Sequence, residues 1–231
     1  RSGFFHSLNG IDHLLFLFCL VIPFRRLRSL LIVVTAFTVA HSVTLIASAY
    51  DLAPRAPWFP PLVETLIATS IVYMALENIV SVSLRRRWLI TFAFGLVHGF
   101  GFSFALRETL QFAGSHLLLS LLSFNVGVEI GQVVVLLILI PAIELLFRHA
   151  VRERLGIIIL SAFAAHTGWH WTVERAGALP RYEWSLPDAA SFLWLAPWVL
   201  AALLAGGAFW LIVGRLLRRP ASETAATDSL Q

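Results

Sequence analysis

LLLSLLSFNVGVEIGQVVVLLILIPAIELLF, residues 117–147, decides the fold. As a helix this run would extend about 46 Å at 1.5 Å per residue, more than the roughly 30 Å of hydrocarbon in a bilayer. It reads as a transmembrane helix that tilts or projects beyond the membrane. Its polar residues are spaced: Asn125, Glu129 and Gln132 stand at i, i+4 and i+7, one stripe of a helix.

The rest of the chain agrees. Of its 231 residues 58% are hydrophobic and 13% charged, with a mean hydropathy of +0.82, values that exclude an ordinary soluble domain. Apolar runs separated by short polar or arginine-bearing stretches predict an all-α polytopic membrane protein of about seven transmembrane helices. The spans are placed near 11–24, 30–49, 62–84, 89–106, 117–147, 155–173 and 189–217. Cys19, the single cysteine, lies inside an apolar run and is expected in the packed interior.

Orientation follows from arginine, because the chain has no lysine. Arg25, Arg26, Arg28, Arg85, Arg86, Arg87, Arg148, Arg152, Arg154, Arg215, Arg218 and Arg219 follow alternate spans, leaving Arg1, Arg55, Arg107, Arg175 and Arg181 on the other side. The bias puts the N-terminus outside and the C-terminus in the cytoplasm. Basic excess is then loop charge and no nucleic-acid footprint, and no nucleotide-binding loop is present. Residues 1–219 form one membrane domain, and residues 220–231 are expected to be a disordered cytoplasmic tail. The chain starts at Arg1 without methionine, which leaves room for an upstream or separate extracytoplasmic domain.

Charged and imidazole side chains inside spans cost enough to be functional candidates by default. In GFFHSLNGIDHLLF, residues 3–16, His6, Asp12 and His13 stand at the outer end of the first span. His6 and His13, seven apart, share a face if the segment is one helix, with Asp12 about 100° away. His41 lies in TAFTVAHSVTL, Glu64 opens the third span, and His98 lies in FGLVHGFGF. Glu129 lies in FNVGVEIGQ, and His166 and His170, one turn apart in HTGWH, have the spacing of two ligands for one metal. Imidazole with carboxylate at one depth points to one or two divalent transition-metal ions, nickel, cobalt or zinc, and the scarcity of sulfur excludes a copper(I) site. Asn125, Gln132, Glu77 and Asn78 are candidates for an ion path leading inward. Gly95 with Gly99, and Gly127 with Gly131, are expected to let the fourth and fifth spans approach closely.

At these residues the sequence resembles the HupE/UreJ family of bacterial membrane proteins, second subgroup. The resemblance rests on the His6…Asp12-His13 segment and on TAFTVAHSVTL, VETLIATSIVYMALEN, FGLVHGFGF and FNVGVEIGQ in order, over roughly residues 3–135. Ser7 stands where that family commonly has proline. The resemblance implies uptake of nickel or cobalt across a bacterial inner membrane by a permease with an outward-facing metal site.

A second reading stays open. Seven spans with an intramembrane His/Asp cluster ending in HxxxH are similar in layout to the alkaline-ceramidase and adiponectin-receptor superfamily of zinc hydrolases. There a metal-bound water would be the nucleophile, with Glu129 or Asp12 as base.

Overall fold

In the computed structural model the description covers residues 1–80, 84–110, 116–183, 200, 203–209 and 211, without the side chains of 84–85 and 103–110. Most of the seventh span and the 220–231 tail fall outside it. Among the described residues there is no strand. Among them seven helices follow one another, α1 (Ser2–Asn9), α2 (Ile11–Val21), α3 (Leu27–Ala49), α4 (Phe59–Val80), α5 (Leu84–Leu110), α6 (Leu117–His149) and α7 (Glu153–Ala176), and residues 203–209 are helical as well.

By length and apolarity α3, α4 and α6 qualify as membrane spans, and α1 with α2 makes a fourth if the bent pair is counted as one. α5 and α7, at 27 and 24 residues, are as long without being among those three. α6 carries an outward apolar face of Val126, Ile130, Leu137 and Ile138, each at least half exposed. Such a face would associate in water and is at home against lipid, so the chain is an integral membrane protein.

α2 is the hub. Phe16, Leu17, Cys19, Leu20, Val21 and Ile22 are at most 2% exposed, and an all-round apolar helix is a buried one. It packs with Phe37 of α3, Ile71 and Met74 of α4, Leu136 of α6 and Ala164 of α7. Several hydroxyls within the helices bond back one turn, as Ser42 does to the Thr38 carbonyl at 2.7 Å and Thr172 to Gly168 at 2.8 Å, and so add no unmet polarity.

The first span is not one straight helix. The chain breaks at Gly10, an extended residue between α1 and α2, and turns by 70°. A Cβ at Gly10 would stand 2.9 Å from His13 Nδ1 and 3.0 Å from the His6 carbonyl, so glycine permits this bend.

The glycine stripes also find other partners than expected. Gly95 and Gly99 of α5 receive α3, where a Cβ on Gly95 would lie 2.5 Å from the Phe37 carbonyl and one on Gly99 equally close to that of His41. Gly127 and Gly131 of α6 receive α1, at Phe4 and Ser7. Small residues signal that some backbone comes close without saying which.

Ion pairs fix which helix ends lie together. Arg25, just after α2, binds Glu144 of α6 at 2.7 Å and also Glu153 of α7. Partial burial would lower the Arg25 pKa, but those two carboxylates outweigh it and hold it above its usual range. At the opposite end of α2, Asp12 binds Arg175 of α7 at 3.2 Å. The Arg25 pairs and the Asp12 pair thus mark opposite ends of α2.

Candidate metal site

Four histidines from four helices meet near the Asp12 end. The ring of His13 lies 4.8 Å from that of His6, 5.3 Å from His98 and 6.3 Å from His41, centroid to centroid. His6, His13 and His41 each offer a ring nitrogen within 4.8 Å of the others. His13, His41 and His98 are buried at 8%, 0% and 1% exposure. In all four, Nε2 is buried and has no hydrogen-bond partner.

Two of these nitrogens have a defined protonation. His98 Nδ1 lies 2.8 Å from the Phe94 carbonyl, which can only accept, so Nδ1 carries the proton and Nε2 a lone pair. His41 Nδ1 lies 2.9 Å from Asn125 Oδ1, and the same amide donates from Nδ2 to the Leu121 carbonyl at 2.9 Å. That second bond fixes which way the amide faces, so His41 too presents a lone pair at Nε2. A histidine ligand held by a hydrogen bond on its other nitrogen is the usual arrangement around a protein-bound metal.

Below the imidazoles the site is apolar. Phe16, Phe37 and Phe94 each lie about one turn from His13, His41 and His98 along α2, α3 and α5, on the side away from Asp12. Phe37 stands 5.1 Å and Phe16 5.4 Å from the His98 ring, and the two phenyls are 5.4 Å apart. On the other side His6, only partly buried, lies against Phe102 at 3.9 Å, which itself stacks on Phe124 at 4.5 Å. His6 is therefore the most accessible of the four.

The remaining sequence candidates are elsewhere. Asp12 is held by the guanidinium of Arg175, whose NH1 also donates to the Glu64 carbonyl at 3.2 Å; the Glu64 side chain is exposed. Glu129 accepts from Thr35 at 2.6 Å through Oε1, while Oε2 is buried without a partner. Gln132 accepts from Thr38 at 2.9 Å, so the α6 stripe is matched by hydroxyls of α3. His166 and His170 do lie together, 4.5 Å between centroids, but both are exposed on α7 and neither joins the three-histidine group. His116 and His149 are exposed at the ends of α6.

Two arginines carry roles that their sequence positions concealed. Arg175 neutralises Asp12. Arg87, counted among loop arginines, is completely buried and paired to Glu77 at 3.2 Å. Its only sequence signal was membership of an arginine triplet, which suits a loop better. Thr35 and Thr38 were more accessible to reasoning, since with His41 they are spaced i, i+3, i+6 on α3.

The family model described as HupE / UreJ protein matches residues 1–175, which include α1 to α6 and nearly all of α7. No curated protein and no solved structure matches the chain significantly.

Proposed function

Because the chain belongs to the HupE/UreJ family, which is linked to nickel and cobalt transport, we propose that it is a permease whose substrate is a divalent transition-metal ion. One observation carries the reading: four neighbouring imidazoles each bury an Nε2, two with the lone pair fixed, that has no hydrogen-bond partner among the described residues. Uncompensated burial of such groups is costly, and a cation that accepts their lone pairs relieves it.

His6, His13 and His41 are the primary ligands, and His98 is within reach of a fourth place. A tetrahedral ion with nitrogen ligands at about 2.1 Å holds them about 3.4 Å apart. The rings therefore close in slightly as the ion sheds water. Nickel or cobalt is the family's substrate class, and imidazole ligands suit both. Asp12 and Glu64 flank the mouth with Arg175, where they set the local charge met by an arriving cation. Beyond the phenyl floor, Glu129 and Gln132 on α6, and Asn78 and Glu77 on α4, are the polar stations of the inward route. The arginine bias assigns the histidine end to the outside of a bacterial inner membrane, with seven spans and a cytoplasmic C-terminus.

The closed phenyl floor and three imidazoles favour a second reading, a retained zinc that activates water. The carboxylates proposed as its base do not join the group: Asp12 is on Arg175 and Glu129 on Thr35. The transport reading is the stronger.

Titration of the detergent-purified protein with cobalt(II), followed by its visible absorption, tests the site. Saturable, chelator-reversible binding that His13→Ala abolishes is expected. Undiminished binding in that variant would remove the histidine group from the account.

A further inference from the structure

Far below the histidines, α2, α4 and α5 are joined by an arginine that no loop role explains. Arg87 is 0% exposed. Its Nε and NH2 both donate to Glu77 Oε2 at 3.2 Å, and NH2 also donates to Asn78 Oδ1. Asn78 in turn donates from Nδ2 to the Cys19 carbonyl at 2.9 Å. The guanidinium lies 5.2 Å from the Phe24 ring centroid, and NH1 has no partner.

The position of this group matters as much as its bonds. Arg87 precedes His98 by eleven residues of the same helix, about 16 Å along its axis. Thr91, wholly buried with its hydroxyl unpartnered, lies between them. Positions 87, 91 and 98 are spaced by four and seven, so one stripe of α5 runs from the histidines to the arginine. From the opposite side, a surface cavity of about 440 Å³ reaches Asn78, with Glu153 and Arg154 also in its lining.

We infer that Arg87, Glu77 and Asn78 form an ionic lock that closes the cytoplasmic end of the metal route. The inference rests on the permease reading. While the pair is closed, the guanidinium, tied to α4 and through Asn78 to α2, obstructs the route, and Glu77 is engaged by it and withheld from a cation. A cation arriving from above competes with Arg87 for the Glu77 carboxylate, and release of the guanidinium opens the way to the cavity at Asn78. Closure behind the departing ion restores the pair.

Cys19 reports directly on this lock, because it is the only cysteine, is 0% exposed, and its carbonyl is the anchor for Asn78. The test labels Cys19 in proteoliposomes with a charged, membrane-impermeant thiosulfonate from either side, alongside cobalt flux. Arg87→Met and Glu77→Gln are compared with the unmodified chain, and cobalt titration at the histidines verifies folding. In both variants, labelling from the cytoplasmic side is expected to rise at least tenfold and preloaded cobalt to leak. The exchange Glu77→Arg with Arg87→Glu restores protection. Folded variants with Cys19 still protected and flux unchanged, while the unmodified chain transports cobalt, would overturn the lock and leave the permease standing. An unmodified chain that binds cobalt yet moves none would overturn the permease and the lock together.

Discussion

Replacing Asn125 by leucine removes no atom from the metal's own reach, yet it is expected to weaken binding strongly. Asn125 Oδ1 holds the Nδ1 proton of His41 at 2.9 Å, and the amide is itself fixed by the Leu121 carbonyl. Without that acceptor the imidazole is free to turn and to carry its proton on Nε2, the buried nitrogen left without a partner. Loss of such an orienting partner typically lowers metal affinity 10- to 100-fold, about 1.4 to 2.7 kcal/mol. Asn125→Asp keeps an acceptor in the same place and supplies a carboxylate, so its affinity should stay within a few-fold of the unmodified protein or rise. Cobalt titration in detergent measures both, and His41→Ala gives the floor. Asn125→Leu binding as tightly as the unmodified chain, or Asn125→Asp failing as badly as leucine, would refute the assigned tautomer.

Three other expectations follow from the packing. Gly10→Ala places a methyl 2.9 Å from His13 Nδ1, and should lower cobalt affinity tenfold or more by pushing the ring aside. Gly99→Val forces α5 from α3 at the His41 carbonyl and should cost about 1 to 3 kcal/mol or more, read as a lower unfolding temperature in detergent. Gly207→Val, with no described residue within 4 Å of its Cβ, is the control. His166→Ala should leave cobalt stoichiometry and affinity unchanged, because the HxxxH pair is exposed and outside the histidine group. A loss of one equivalent of bound metal in that variant would establish a second ion instead.

Much of this arrangement was legible before any coordinates. Helical character and membrane residence follow from apolar runs long enough to cross a bilayer, and burial of Cys19 from the run that holds it. His6, His13, His41 and His98 were recognisable because imidazole inside hydrocarbon is expensive wherever it occurs. What the sequence could not supply was pairing. The spacing of His6 and His13 suggested one helix face, whereas a 70° break at Gly10 brings the rings together. HxxxH has metal spacing along its own helix, but which way α7 turns that face is set by packing against α4. Arg87 and Arg175 looked like topology markers because one-dimensional charge counting cannot distinguish a solvated arginine from one folded onto Glu77 or Asp12.

Uptake of cobalt(II) into proteoliposomes, compared between the unmodified chain and His13→Ala, tests the central claim most directly. The account predicts saturable accumulation that nickel competes for and that His13→Ala abolishes. An unmodified chain that moves no cobalt, and instead keeps zinc through chelator washing, would contradict it.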